Sequence, residues 1–211
     1  MPGTQEECRP LVLGIGADMF GYDLKEELRD ALEADPCVAE LRDFGVFSDD
    51  DPRPYPEVGI AVAECVRAGQ LDRAILICGT GIGMAVSANK VPGVRATVAY
   101  DPYSVERSVL SNDCQVLTLG GKVVTPDLAR RIAKDWLRYR FDASSPSAAK
   151  IEIIRNYEHV AAQYEPSTLQ PINSRASLPP LQPRANTNTP SKDHAQHVAE
   201  RFTTFSERAV E

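Results

Sequence analysis

Short apolar segments alternate with amphipathic segments along the first 164 residues, and this alternation constrains the fold more than any other feature of the chain. The apolar segments predict strands over 11–17, 38–47, 73–78, 94–100 and 115–120. The other segments carry apolar residues at helical spacing, and predict helices over 22–34, 56–69, a stretch after Gly83, 101–111, 125–141 and 147–164. Strands that alternate with helices at this spacing predict a parallel sheet, because each helix returns the chain to the same edge.

The predicted strands are apolar on both faces, as a sheet covered by helices on both sides requires. We therefore expect an α/β fold, a Rossmann-like three-layer αβα arrangement with a five-stranded parallel sheet. The last helix, 147–164, is expected to pack outside the sheet or on a partner subunit.

The composition changes after Tyr164. Residues 165–211 are rich in Pro, Ser and Asn, and six prolines fall within 165–193. Such a segment buries too little apolar surface to offset its chain entropy. The sequence thus predicts one domain, 1–164, followed by a disordered C-terminal tail, 165–211.

The overall charge and the cysteines exclude several classes of protein. A formal net charge of -7 argues against nucleic acid or an anionic membrane as the main partner. No apolar stretch approaches the roughly 18 residues of a membrane span, so a cytoplasmic location is expected. The five cysteines are widely spread and form no C-x-x-C pair, which predicts reduced thiols and neither a disulfide framework nor a metal site.

A glycine-rich loop follows the third predicted strand in the sequence "ILICGTGIGMAVSANK", residues 75–90. Gly79, Gly81 and Gly83 come directly after Cys78, and their backbone N–H groups are expected to converge on a small anion at the carboxyl end of the sheet. A Walker loop would need G-K-[ST] after the glycines, and a dinucleotide fingerprint would need G-x-G-x-x-G after the first strand. Neither pattern is present, so both nucleotide hypotheses are weak.

A thiol at such a loop can act as a nucleophile or as a base. A nucleophilic cysteine normally has a histidine partner, but the three histidines, His159, His194 and His197, all lie in the last third of the chain. A base that takes a proton from a carbon beside a carbonyl, next to amides that hold the resulting enediolate, fits Cys78 better. The other four thiols are expected to be core residues: Cys8, Cys37, Cys65 and Cys114.

The combination of C-G-T-G-I-G with A-N-K-x-x-G-x-R-A closely resembles the signature of the ribose-5-phosphate isomerase B and galactose-6-phosphate isomerase family. The segments "GADMFG" (16–21) and "SNDCQVLTLGGKVV" (111–124) resemble that family's first-strand turn and fifth-strand segment, and the resemblance runs from about residue 11 to about 158. It implies cofactor-independent aldose–ketose isomerisation of a small sugar phosphate through a cis-enediolate. It also implies homodimers, often paired into tetramers, in which the neighbouring subunit completes each active site.

The resemblance assigns roles to individual residues. Cys78 would be the base, as in the cysteine branch, because Met84 stands where another branch has a glutamate. Thr80 would support the thiolate. The remaining substrate-binding positions would be Asp18, Met19, Gly79, Gly81, Ile82, Gly83, Ser111 and Asn112, and the phosphate-binding positions Lys122 and Lys150.

Several positions depart from the pattern of the ribose enzymes. Met19 and Ser111 stand where those enzymes have histidines, the second of which is thought to open the furanose ring. Lys122 replaces an arginine, and the late R-x-x-x-R pair reads Pro146 and Lys150. A phosphate site of lysines and amides loses the bidentate grip of arginine.

The substrate is left open between two sugar phosphates. Ribose 5-phosphate is mostly a closed furanose, whereas a tetrulose 4-phosphate cannot close that ring and needs no ring-opening group. The Ser111-Asn112 sequence resembles the tetrulose-4-phosphate isomerase branch, which makes erythrose 4-phosphate. The alternative to an enzyme is a non-catalytic sugar-phosphate sensor with the same fold, although a sensor would not need the thiol of Cys78.

Overall fold

The computed structural model describes residues 9–161 of the 211-residue chain. The predicted tail, His194, His197 and residues 162–164 of the last predicted helix lie outside the described residues. None of the helices in the described part is long and apolar enough to cross a membrane. The strands are β1 (Leu11–Ala17), β2 (Val38–Asp43), β3 (Arg73–Cys78), β4 (Ala96–Val98) and β5 (Val116–Gly120). The helices are α1 (Tyr22–Glu33), α2 (Tyr55–Arg67), α3 (Ile82–Ala88), α4 (Pro102–Leu110), α5 (Pro126–Arg138) and α6 (Ala148–Ala161).

The five strands form one parallel sheet in the order β2-β1-β3-β5-β4. From β1 the chain proceeds to β2 on one side, and it then returns to β3 on the other side. The carboxyl ends of β1 and β3 therefore lie side by side, with Ala17 opposite Ile77. Ligands of open parallel sheets bind at such a switch point. The predicted fold class is confirmed.

Helices cover both faces of the sheet, and each face has its own apolar core. On one face α1, α4 and α5 pack around residues such as Leu28 and Trp136. On the other face α2 and α3 pack around residues such as Val62 and Met84. Two helices have a side-chain cap at their first turn, since Asp101 accepts a hydrogen bond from the Ser104 N–H at 2.8 Å and Thr125 accepts one from the Leu128 N–H.

β2 and β4 are several residues shorter than predicted, and β5 starts one residue later than predicted, at Val116. β2 ends at Asp43 instead of residue 47, because Gly45 takes φ +82 and donates its N–H to the Asp43 carboxylate at 2.8 Å. β4 covers only 96–98 of the predicted 94–100. At the start of β4, the Asn89 side chain makes the hydrogen bonds that a neighbouring strand would otherwise make. It accepts from the Ala96 N–H and donates to the Ala96 carbonyl.

Helix α6 packs outside the sheet, over the loops that precede β4 and β5. Ile151 is its buried contact, Glu158 accepts a hydrogen bond from the Gly93 N–H, and Arg155 pairs with Asp113 at 3.3 Å. These contacts place the helix at the amino edge of the sheet. Its outer face leaves Ile153 and Tyr157 exposed.

Arg73, at the start of β3, is buried although the strand prediction assigned it no role. Its guanidinium donates to the carbonyls of Trp136 and Tyr139 at 2.7 Å and stacks on the Trp136 ring. It thereby satisfies carbonyls at the end of α5, which lack partners within the helix. Burial, with a smaller contribution from Arg140, lowers the pKa of Arg73 to about 10.

The prediction that every thiol is reduced is wrong at one position. Cys37 is disulfide-bonded, and its partner lies outside the described residues. Cys65, Cys78 and Cys114 are free thiols. Spacing along the sequence could not reveal this bond, because a disulfide depends on which Cα atoms the fold brings together.

Lys25 of α1 is completely buried and holds the loop after β2 against the start of α1. Its ammonium pairs with Asp43 at 2.6 Å and with Glu26 at 2.7 Å, and it lies between the rings of Tyr22 and Phe47. Asp43 also accepts from the Gly45 N–H, so one carboxylate both neutralises the buried charge and ends the strand.

We expect the Asp43→Ala substitution to lower the free energy of unfolding by about 3 kcal/mol, because it leaves a buried ammonium with a single, more exposed partner. Glu26→Ala, the matched control, should cost under about 1 kcal/mol, since it removes the half-exposed partner and no backbone hydrogen bond. Urea unfolding of both variants measures the two costs. Equal costs would contradict a central role for Asp43.

Candidate active site

The glycine loop lies directly against the end of β5. A Cβ atom on Gly81 would be 3.0 Å from the carbonyl carbon of Leu119, and one on Gly120 would be 2.8 Å from the Thr80 Cα. Gly81 also takes φ +73, a left-handed conformation that glycine adopts without strain. The Gly121 N–H donates to the Cys78 carbonyl at 2.8 Å. Glycine at these positions is therefore required for the two backbones to meet.

Cys78 is the last residue of β3, and its side chain is 4% exposed. The Gly81 N–H donates to its Sγ at 3.1 Å. This hydrogen bond fixes the sulfur at the base of the loop, at the switch point between β1 and β3.

The loop also carries backbone donors that the protein does not use. Within residues 9–161, no protein group accepts a hydrogen bond from the N–H of Gly79, Thr80 or Gly83. The neighbouring Ile82 N–H lies 3.4 Å from the Thr80 hydroxyl, and the Ile82 side chain is exposed. Free N–H groups next to a thiol can bind the oxygens of an anion formed beside it.

Asp18 follows β1 and lies beside the end of β3, since its N–H donates to the Ile77 carbonyl at 3.1 Å. Its carboxylate accepts from the N–H groups of Phe20 and Gly21 at 2.9 and 3.1 Å. Burial raises the pKa of Asp18 above its ordinary value, while these two hydrogen bonds and the charge of Lys122 lower it by a smaller amount. The adjacent Met19 is 45% exposed, at the rim of the loop region.

Lys122 supplies a positive charge at the same rim. Its ammonium is 4.0 Å from the centroid of the Phe20 ring, and its N–H donates to the Gly79 carbonyl at 3.1 Å. A Cβ atom on Gly79 would be in van der Waals contact with the Phe20 Cβ at 3.7 Å and with the Lys122 Cδ at 3.9 Å, so these two side chains border the loop.

Two tyrosines at this edge were not singled out by the sequence. The Tyr100 hydroxyl donates to the Thr80 carbonyl, and burial, followed by the nearby Cys78, raises the pKa of Tyr100. The Tyr55 ring lies on Gly83, where a Cβ atom would be 2.7 Å from it. The sequence signal that could have identified them is their position. Tyr100 is the last residue of the predicted strand 94–100, and Tyr55 is the first residue of α2, the helix that follows β2.

The remaining predicted residues lie at the opposite edge of the sheet. Ser111 and Asn112 end α4 and precede β5, whereas Cys78 is aligned with Gly120 at the far end of that strand. With five residues, β5 is about 16 Å long. Helix α6, which carries Lys150, packs over the same amino edge.

The predicted site residues thus fall into two groups within one chain. The carboxyl-edge group is Asp18, Met19, Cys78, Gly79, Thr80, Gly81, Ile82, Gly83 and Lys122. The amino-edge group is Ser111, Asn112 and Lys150. One chain does not bring the two groups together, so a single site that contains both needs a second chain.

Arg95, which the sequence analysis did not assign, holds the turn that carries Asn112. Its guanidinium donates to the carbonyls of Asn112 and Asp113 at 3.0 Å and to the Asp113 carboxylate at 2.6 Å, and Arg95 is 7% exposed. Asp113 has φ 48 and also pairs with Arg155 of α6. The signal for Arg95 was its place as the arginine of the A-N-K-x-x-G-x-R-A motif.

Comparison with known proteins identifies the family. Residues 13–154 match the model of the family described as Ribose/Galactose Isomerase. The chain belongs to the ribose/galactose isomerase family. The match covers every strand except the first two residues of β1, and it includes both the carboxyl-edge and the amino-edge groups.

Individual members of the ribose/galactose isomerase family are similar over the same region. D-erythrulose-4-phosphate isomerase 2 of Mycolicibacterium smegmatis is 53% identical over 148 residues, which are 70% of this chain and 97% of that protein. Ribose-5-phosphate isomerase B of Escherichia coli is 38% identical over 130 residues, 62% of this chain and 85% of that protein. The structure of ribose-5-phosphate isomerase B from Clostridium thermocellum has a TM-score of 0.65 and 41% identity, covering 70% of this chain and 97% of that one.

We expect Gly81→Ala to abolish most activity and to destabilise the protein by about 3 kcal/mol, because the methyl group meets the Leu119 backbone in addition to the strain of a positive φ. Gly93→Ala is the matched control, since Gly93 has φ +86 but open space around its Cβ position. It should cost about 1 kcal/mol and leave activity unchanged. Thermal unfolding and turnover measure both effects, and similar losses in the two variants would mean that the contact with β5 is unimportant.

Proposed function

We propose that this chain is a cofactor-independent aldose–ketose isomerase of a small sugar phosphate, in which Cys78 moves the proton. The observation that carries the proposal is the Cys78 Sγ held at 3.1 Å by the Gly81 N–H, within a loop in which the N–H groups of Gly79, Thr80 and Gly83 have no acceptor among residues 9–161. This combination suits a base next to an oxyanion site.

In the proposed reaction the Cys78 thiolate takes the proton from the carbon beside the substrate carbonyl. The electrons of that C–H bond form the carbon–carbon double bond of a cis-enediolate, and the carbonyl oxygen becomes negative. The N–H groups of Gly79, Thr80 and Gly83 bind the enediolate oxygens, and the proton of the remaining hydroxyl passes to the former carbonyl oxygen. The thiol then returns its proton to the former carbonyl carbon, so that the other carbon becomes the carbonyl and Cys78 is again a thiolate. Asp18 and Met19 bind the sugar at the rim, and Lys122 attracts the phosphorylated substrate.

The active enzyme is a homodimer in this proposal, located in the cytoplasm, where phosphorylated sugars are retained by their charge. The amino-edge group of one subunit completes the carboxyl-edge group of the other. The support is geometric, because Ser111 and Asn112 are a full strand length from Cys78 in the same chain. The exposed apolar side chains around the loop, Met19, Phe20, Ile82 and Val123, suit burial against a second subunit.

D-Erythrulose 4-phosphate and erythrose 4-phosphate are the proposed substrate pair, with ribose 5-phosphate as a slower substrate. Ser111 cannot act as the acid–base group that a closed furanose benefits from, and a tetrulose 4-phosphate cannot form that ring. Relatives from Mycolicibacterium smegmatis and Pectobacterium atrosepticum, 53% and 40% identical, are named D-erythrulose-4-phosphate isomerases. A sensor without catalysis is disfavoured, because ligand binding alone does not need a thiol at the oxyanion site.

Replacing the Cys78 sulfur by oxygen tests the proposed base. We expect Cys78→Ser to lower turnover of D-erythrulose 4-phosphate by about 10³-fold, because a hydroxyl is a far weaker base than a thiolate. Cys65→Ser is the control, since Cys65 is a free thiol on α2 outside both groups. A coupled assay with D-erythrulose 4-phosphate and ribose 5-phosphate measures both variants. Full turnover in Cys78→Ser would exclude the assignment, and absence of turnover with either sugar in the unaltered protein would exclude the proposed reaction.

Mixed dimers test the shared site. Cys78→Ser and Asn112→Ala should each be inactive, but a heterodimer of the two has one site with both native residues. Co-expression of the two variants should therefore restore about a quarter of the native activity in the unseparated mixture, since half of the dimers are mixed and half of their sites are intact, and purification on two affinity tags should raise this to about a half. Activity no greater than the sum of the separate variants would show that the two groups do not share a site.

A further inference from the structure

Arg107 lies one helical turn before Ser111 on α4 and is assigned no role by the motif. Its Nη1 donates to the Ser111 Oγ at 3.4 Å, and its carbonyl accepts from the Asn112 side-chain amide at 3.2 Å. Arg107 therefore contacts both residues of the Ser111-Asn112 pair in the amino-edge group.

The guanidinium of Arg107 has N–H donors that other groups in the described part of the chain do not fully use. Nη2 pairs with Glu106, the Tyr103 ring lies 5.9 Å from Cζ, and Nε is buried without a hydrogen-bond partner in the described part of the chain. The Arg107 and Glu106 side chains are each 37% exposed, so a ligand can reach the pair. Glu106 holds one edge of the guanidinium and turns the other edge toward Ser111. A donor left unpaired in this way requires an explanation.

The other arginines of this edge are already engaged. Arg95 is buried against Asp113, and Arg155 pairs with the same carboxylate. The late R-x-x-x-R pair that the resemblance implies reads Pro146 and Lys150 in this chain. Arg107 therefore presents a planar, forked donor where the chain otherwise offers a lysine.

The chemistry of the substrate indicates what this donor binds. In ribofuranose the ring oxygen is O4, and the sequence resemblance implies that Ser111 stands where a ring-opening group would act on this oxygen. In a tetrulose 4-phosphate the same oxygen, O4, carries the phosphoryl group. A guanidinium hydrogen-bonded to Ser111 is thus placed to meet a phosphate on O4, whereas a phosphate on O5 lies one carbon further away.

We propose that Arg107, together with Ser111, binds the phosphate of the substrate in the partner subunit's site and selects sugars phosphorylated on O4. This inference rests on the proposed function and on its shared site. Arg107 acts as a specificity-determining residue, and Cys78 catalyses the reaction with either substrate.

The test compares Arg107→Leu and Arg107→Lys with a matched control, Arg67→Leu. Arg67 is likewise an exposed helical arginine paired with a glutamate, Glu64, but it lies on α2. For D-erythrulose 4-phosphate, Arg107→Leu should lower kcat/KM about 10- to 100-fold, mainly through KM, the loss expected for hydrogen bonds to a charged group. For ribose 5-phosphate it should change kcat/KM much less. Arg107→Lys should recover part of the loss, and Arg67→Leu should change nothing.

A second measurement does not depend on turnover. Inorganic phosphate should bind the native protein in calorimetry and bind Arg107→Leu at least about 10-fold more weakly, with thermal unfolding of each variant as a check of folding. An equal loss for both sugars, or unchanged phosphate binding, would overturn the proposed selectivity. If the native protein isomerises neither sugar but loses phosphate binding in Arg107→Leu, the proposed function fails while the phosphate site stands.

Discussion

The close approach of two backbones, the β3–α3 loop and the end of β5, is the constraint on which the rest of the site depends. The loop can lie on Leu119 and Gly120 because the residues that face each other have no side chains. This contact sets where Cys78 ends its strand and where the Gly81 N–H meets the sulfur. It also leaves the N–H groups of Gly79 and Gly83 without an acceptor in the part of the chain that the structure describes, because the loop turns away from the sheet before regular hydrogen bonding resumes.

The second organising feature is the ionic cluster at the amino edge. Asp113 joins Arg95, which holds the turn with Asn112, to Arg155 on α6. The turn that carries Asn112 and helix α6, which carries Lys150, are thus both tied to the Asp113 carboxylate. A largely buried pair of this kind resists displacement, since removing one partner leaves a charge without compensation. The cluster therefore keeps the turn and the helix in a constant relation, as the proposed shared site would require.

The two edges differ in the interactions that hold them. At the carboxyl edge, backbone geometry and glycine residues hold Cys78 and the loop N–H groups in place, so added side-chain atoms are poorly tolerated. At the amino edge, side-chain charges position polar groups on a helix end, so single residues can change without a change of fold.

Most of the fold could be predicted from the sequence, because apolar periodicity is a local property. β1 and β3 have the predicted bounds. The errors lie where a side chain forms a bond that apolar periodicity does not reveal. Asp43 captures the Gly45 N–H and shortens β2, the Asn89 side chain takes over hydrogen bonding at the start of β4, and Cys37 forms a disulfide.

The sequence by itself determined the class of fold, the glycine loop with its thiol, and the family to which the motif belongs. These depend on residue type and spacing within short segments. Only the tertiary structure decided that Ser111 and Asn112 stand a strand length from Cys78, that Tyr55 and Tyr100 border the loop, and that Arg107 reaches Ser111. The reason is physical: spacing along the chain specifies strands and turns, but which edge of the sheet a residue reaches, and which side chains meet there, depends on strand order and packing.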